Sequence, residues 1–172
     1  MILCCGRMTE ADPGPVERSF RARTLAPGAG LGPVLVLDEP LSFWGGVDSA
    51  SGRVIDGRHP QFGEALTGRI VLLPGGRGSS SSSSVLAEMV RAHTAPAALI
   101  LLRADPILAL GAVVASELYG RAVPVVELAE EPYRTVDTGD VAAVDAVSGD
   151  AGVVRVWPGL TPPGRAGPGA SR

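Results

Sequence analysis

The chain has 172 residues, a net charge of −3, 45% hydrophobic residues and only 4% aromatic ones. That length suits one domain with a core of Val, Leu, Ile and Ala, and the slight acidity leaves no electrostatic footprint for nucleic acid or an anionic membrane. No apolar run approaches the roughly 20 residues that span a bilayer, so a soluble cytoplasmic protein is expected, with neither nucleic acid nor membrane as partner.

Residues 1–27 mix Pro, Gly and charge without periodicity and read as a disordered N-terminal extension. They hold the only two cysteines, Cys4 and Cys5. Adjacent cysteines form no disulfide framework, and two thiolates alone do not hold an iron–sulfur cluster. A domain is expected over residues 28–159. Its first strand is Pro33-Val34-Leu35-Val36-Leu37, closed by Asp38-Glu39-Pro40. A loop with adjacent aromatics, Phe43-Trp44, and two glycines follows. It reads either as a surface for substrate or partner, or as a plug whose rings enter the core. Arg53-Val54-Ile55 is a short strand between turns, and His59, in the next loop, reads as solvated.

The chain is organised around residues 72–90, LLPGGRGSSSSSSVLAEMV. Arg69-Ile70-Val71-Leu72-Leu73 reads as a buried strand, and Val85, Leu86, Met89 and Val90 recur at helical spacing. Between them lie a glycine-rich turn and six serines, Ser79 to Ser84. Strand, glycine turn and helix start together leave backbone N–H groups free at the positive end of a helix, where an anion or a developing oxyanion binds. A flexible linker or mere helix caps would explain the serines alone, not three glycines and an arginine before them. No Lys follows the last glycine, which excludes a P-loop, and Ser79 lacks the glycine two residues on that a nucleophile elbow needs.

Residues 97–102 form another buried strand. Asp105-Pro106 supplies an N-cap and a first-turn proline for an apolar helix ending at Gly120. Val123–Leu128 completes a β-α-β-α-β run. Val141–Val147 and Val153–Trp157 read as a closing β-hairpin, and residues 160–172 as a disordered tail. The two histidines and two cysteines match no metal-ligand spacing.

Gly76-Arg77-Gly78-Ser79-Ser80 resembles the G-x-G-S-S motif of the swivelling domain of aconitases. PLSFWGGVD at 40–48, GRVIDGRHPQFGEALTGRIVLLPGGRGSSSSSSVLAE at 52–88 and DPILALGAVVASELYG at 105–120 are similar to the small subunit, or swivel domain, of the aconitase X family. The resemblance covers about residues 32–126 and implies an α/β fold, the aconitase-like swivelling β/β/α domain with a mixed sheet and closing hairpin. It further implies a separately encoded small subunit of a hydro-lyase, active only with a large subunit that carries an iron–sulfur cluster, and a hydroxy acid as substrate. Ser79, at the family's serine position, would be the proton acceptor, with Arg77, Gly78 and Ser80 binding substrate. Aconitases carry Arg after the serine pair; Ser81 stands here, so that anchor is not carried over. The long serine run resembles the cis-3-hydroxy-L-proline dehydratases, whereas archaeal relatives dehydrate mevalonate 5-phosphate. A non-catalytic anion-binding or scaffolding domain is the alternative of another class.

Overall fold

A computed structural model describes residues 16–147 and 151–159. Cys4, Cys5 and the tail over 160–172 lie outside the described residues. Among the described residues nine strands and four short or medium helices follow in order: β1 (Arg18–Ala26), β2 (Gly28–Val36), α1 (Phe43–Gly46), β3 (Val47–Asp48), β4 (Arg53–Val54), β5 (Ile70–Leu73), α2 (Ser82–Arg91), β6 (Ala98–Leu101), α3 (Pro106–Tyr119), β7 (Val125–Glu127), α4 (Glu130–Tyr133), β8 (Val141–Ala146) and β9 (Gly152–Trp157). Seven strands close into a barrel in the order β1-β7-β6-β5-β2-β8-β9, and β3-β4 form a separate small ribbon. Strands β2, β5, β6 and β7 run parallel, joined by the crossover helices α2 and α3. The remaining pairings are antiparallel, including the β8-β9 hairpin.

The expected β-α-β-α-β run and the closing hairpin are both present, so the α/β reading with a mixed sheet holds. The period-two alternation of strands explains why one sheet serves two cores. Ile70, Leu72, Ala98 and Ile100 point into the barrel, where they meet Val34, Val126, Val144 and Val154. Their neighbours Val71, Leu73, Leu99 and Leu101 point outward against Leu86 and Met89 of α2 and Leu108 and Ala112 of α3. All eight central positions on β5 and β6 are buried. Continuous apolar runs are what a parallel sheet covered on both faces requires.

The domain start at residue 28 is corrected: β1 occupies Arg18–Ala26 and pairs with β9 through Arg18–Ala22 and with β7 through Arg23–Ala26. Phe20 and Ala22 pack into the barrel core while Arg21 and Arg23 face out. The alternation was present in RSFRARTLA, but its inward residues are few and small beside a Pro- and Gly-rich leader. The first predicted strand likewise begins earlier, at Gly28, because β2 carries a second ladder with β8.

Helix α3 starts and stops where the residues predict. Asp105 Oδ1 accepts from the amides of Ile107 at 2.8 Å and Leu108 at 3.2 Å, and Gly120 ends the helix in the left-handed conformation. His59 departs from its expected solvated state. It is 3% exposed, its Nδ1 accepts from the Gln61 amide at 3.1 Å, and its Nε2–H donates to the Glu39 carbonyl at 3.2 Å. Gln61 in turn grips Asp38 through both side-chain amide ends, so His59 ties the loop after β2 to the loop after β4.

Tyr133 is buried in the barrel core, and its hydroxyl has no hydrogen-bond partner among the described residues. Burial, reinforced by the Asp38 charge, pushes its pKa up to about 12. The unfolded chain ionises its tyrosine nearer 10, so this group's contribution to stability is intact below about pH 10 and is lost as pH rises towards about 12. Tyr133→Phe is expected to flatten that alkaline decline and to raise stability at neutral pH by about 1 kcal/mol, since the orphaned hydroxyl disappears. Urea midpoints measured at neutral pH and at high pH check both effects.

Candidate functional site

The glycine-serine turn leaves β5 at Leu73 and enters α2 at Ser82, on the side where α3 also begins. Gly76 and Gly78 are both required there. Gly78 holds a φ of +96°, and a Cβ on it would stand 2.8 Å from Ser42 Oγ. A Cβ on Gly76 would stand 1.6 Å from Asp105 Oδ2, so only glycine lets the turn and the start of α3 approach this closely. The Arg77 amide donates to the Leu41 carbonyl at 3.4 Å, which joins the turn to the loop after β2.

Arg77, Gly78, Ser79 and Ser80 are all exposed. Ser79 Oγ accepts from the Ser81 amide and donates to Ser81 Oγ, both at 3.2 Å. Among the described residues, no acceptor faces the amides of Gly78, Ser79 and Ser80. Three successive unpaired N–H groups in a turn leading into a helix leave donors available to a carboxylate or an oxyanion. Ser81, the residue before α2, makes no side-chain cap; the Ser83 hydroxyl instead donates to the Ser80 carbonyl at 2.8 Å.

A cavity of about 60 Å³ opens beside this turn, walled by Arg77, Gly78, Ser79, Ser82 and Asp105, with Leu41 and Leu108 at its apolar side. Three of the four expected site residues, Arg77, Gly78 and Ser79, are therefore brought together, while Ser80 lies outside the lining. The Arg77 guanidinium, half-exposed, donates to Asp56 Oδ2 at 3.1 Å. That pairing leaves the charge in place but aims it.

Sequence reasoning missed three neighbours of the turn. Asp56 lies 21 positions before Arg77, in a stretch whose residues read only as a turn. Ser82, which looked like one more cap, is buried and accepts from the Trp44 amide at 3.2 Å. Asp105 was read as an N-cap alone, although it also borders the cavity. The aromatic loop divides between its two readings: Phe43 is fully buried as a plug, and Trp44 is 60% exposed.

Among the described residues no group of three or more His, Cys, Asp or Glu side chains is placed to hold a metal ion. The described residues therefore do not fit an iron–sulfur cluster. No helix among them is long and apolar enough to cross a membrane.

A family model described as the aconitase X swivel domain matches residues 19–156, which takes in β1 and runs to the end of the barrel. The chain belongs to that family. This swivel domain is 52% identical over 108 residues to the cis-3-hydroxy-L-proline dehydratase of Pseudomonas aeruginosa, covering 63% of the chain but only 19% of that protein. It is 53% identical over 93 residues to the phosphomevalonate dehydratase small subunit of Methanothermobacter thermautotrophicus, covering 54% of the chain and 71% of that subunit. Among solved structures it is similar to the holo-form of Thermococcus kodakaraensis aconitase X, with a TM-score of 0.72 and 31% identity over 81% of this chain and 98% of that one.

Proposed function

We propose that this swivel domain is the small subunit of an aconitase X-type hydro-lyase and that Ser79 takes the proton removed from a hydroxy acid. The cavity beside Ser79 carries the reading. At about 60 Å³ it is far below the roughly 300–1,000 Å³ of a pocket that encloses a ligand, and it lies on an exposed turn. One wall of a site is what a domain that closes over a larger partner would contribute.

Dehydration breaks a C–H bond next to a carboxylate and a C–O bond on the adjacent carbon, forms a double bond between them and releases water. The unpaired amides of Gly78, Ser79 and Ser80 suit the carboxylate or the charge that develops as the proton leaves. The iron–sulfur cluster that the resemblance implies belongs in this reading to the large subunit, which also supplies the other ligands of the substrate. Exposed apolar surface supports such a partner. Trp44 is 60%, Leu110 57% and Leu118 66% exposed, and a groove between α2 and α3 begins at Ser83, next to the serine turn. That continuity is what a subunit closing the site would use.

Identities of 52% and 53% do not separate the two named relatives. The serine run favours cis-3-hydroxy-L-proline as substrate, with mevalonate 5-phosphate second. Co-expression with the large subunit and assay of both hydroxy acids tests the assignment. The expected result is turnover of cis-3-hydroxy-L-proline by the pair, and none by this chain alone, which binds no iron. Turnover by the single chain, or a pair that turns over neither compound, would overturn it.

A further inference from the structure

We propose that Asp105 is a positioning residue for the dehydration, receiving through one water the hydroxyl proton that Ser79 gives up. The proposal rests on the reading of Ser79 as proton acceptor and addresses what that reading leaves open. A serine hydroxyl is a poor base unless its own proton has somewhere to go. Ser79 Oγ has only the Ser81 hydroxyl as an acceptor among the described residues, and that is another neutral serine. Of the side chains lining the cavity only Arg77 and Asp105 carry charge, and Arg77 is committed to Asp56. Among the described residues Asp105 is thus the lone anionic side chain lining that cavity.

The two oxygens of Asp105 are used differently. Oδ1 accepts from both Ile107 and Leu108 amides and so completes the helix cap by itself. A serine, threonine or asparagine would do that much. Oδ2 accepts no hydrogen bond from the described residues. It lies against Gly76, at 1.6 Å from where a Cβ would stand, so the chain keeps a glycine where the oxygen projects. A polar cavity of about 60 Å³ has room for water, given that one molecule needs roughly 10–15 Å³ of such space.

The transfer balances as follows. As the substrate C–H bond breaks, Ser79 Oγ takes that proton and passes its original hydroxyl proton to the water. The water passes a proton on to Asp105 Oδ2. The C–H electron pair becomes the new double bond as the hydroxyl departs. Asp105 then releases its proton to solvent, the departing hydroxide takes one up, and water is the only by-product.

The test uses the assembled two-chain enzyme with Asp105→Asn, Asp105→Ser, Ser79→Ala and the Ser79→Ala/Asp105→Asn double variant. Both Asp105 variants keep a cap oxygen, so melting temperature and assembly should be unchanged and KM nearly so, while kcat falls about 10²-fold. The double variant should be no slower than Ser79→Ala, because the two groups act as a unit. The solvent deuterium isotope effect on kcat should shrink in Asp105→Asn. Asp105 variants within threefold of the parent kcat, or losses that multiply in the double variant, would overturn the relay. If Asp105→Asn disturbs folding, the Asp105→Ser result decides. Should Ser79→Ala retain near-normal kcat, the reading of Ser79 fails, and that outcome is separate from any Asp105 result.

Discussion

Replacing Ser79 with alanine is expected to lower kcat of the assembled enzyme about 10²–10⁴-fold, the scale of one positioned acid–base group. The substitution removes Oγ and its two contacts with Ser81 but leaves the amides of Gly78, Ser79 and Ser80 in place. Gly78, at φ +96°, still sets the turn, and the Ser82 amide still donates to the Ser79 carbonyl at 3.0 Å. Anion binding should therefore survive, and KM should change little. Ser83→Ala is the control from the same serine run, since Ser83 lies outside the cavity lining and its hydroxyl donates to the Ser80 carbonyl. Steady-state kinetics of the two variants against cis-3-hydroxy-L-proline make the comparison. Equal kcat for Ser79→Ala and the parent would leave the turn as an anion-binding surface without a base.

Deleting residues 1–26 should abolish cooperative folding, although the composition of that segment suggests a dispensable leader. Strand β1 is the stave between β7 and β9. Its removal withdraws Ala22, Ala26 and Phe20 from the two cores and turns β7 and β9 into unpaired edges, which promote aggregation. The ladders involve nearly every residue from Arg18 to Ala26. At about 1 kcal/mol net for each lost hydrogen bond, plus the lost burial, the cost is comparable with the ~5–15 kcal/mol that stabilises a domain. Denaturant unfolding of the truncated chain, followed by circular dichroism and by sedimentation, reads the result. A truncated chain that unfolds in one sharp transition at the parent midpoint would show that β1 is not needed for closure.

The loop after β2 connects these two levels. Phe43 anchors it in the helix-facing core, Trp44 donates its amide to Ser82, and Ser42 lies within reach of Gly78. The buried His59 and the half-buried Gln61 hold the start of that loop through Glu39 and Asp38. Asp56, from the same segment as His59, holds Arg77. The turn that bears Ser79 is therefore held by the loops after β2 and β4 as well as by its own glycines.

Local chemistry alone determined much of this protein. Apolar runs at 70–73 and 98–101 have the length and continuity of buried parallel strands. Asp105-Pro106 and Gly120 bound a helix by cap chemistry that needs no tertiary partner. The glycine-serine turn between strand and helix was legible because glycine and serine there answer to backbone geometry. Tertiary structure decided the rest. Strand β1 is stable only between β7 and β9, since its few small inward residues gain burial only once the barrel is closed. His59 looked like a loop histidine because nothing in its neighbourhood announces that the Glu39 carbonyl, 20 positions away, will accept its hydrogen bond. The pairing of Asp56 with Arg77 and the approach of Asp105 to Gly76 span 21 and 29 positions. Electrostatic and steric contacts at such separations leave no periodic trace in a single chain, because they depend on where the sheet and its crossovers deliver each loop.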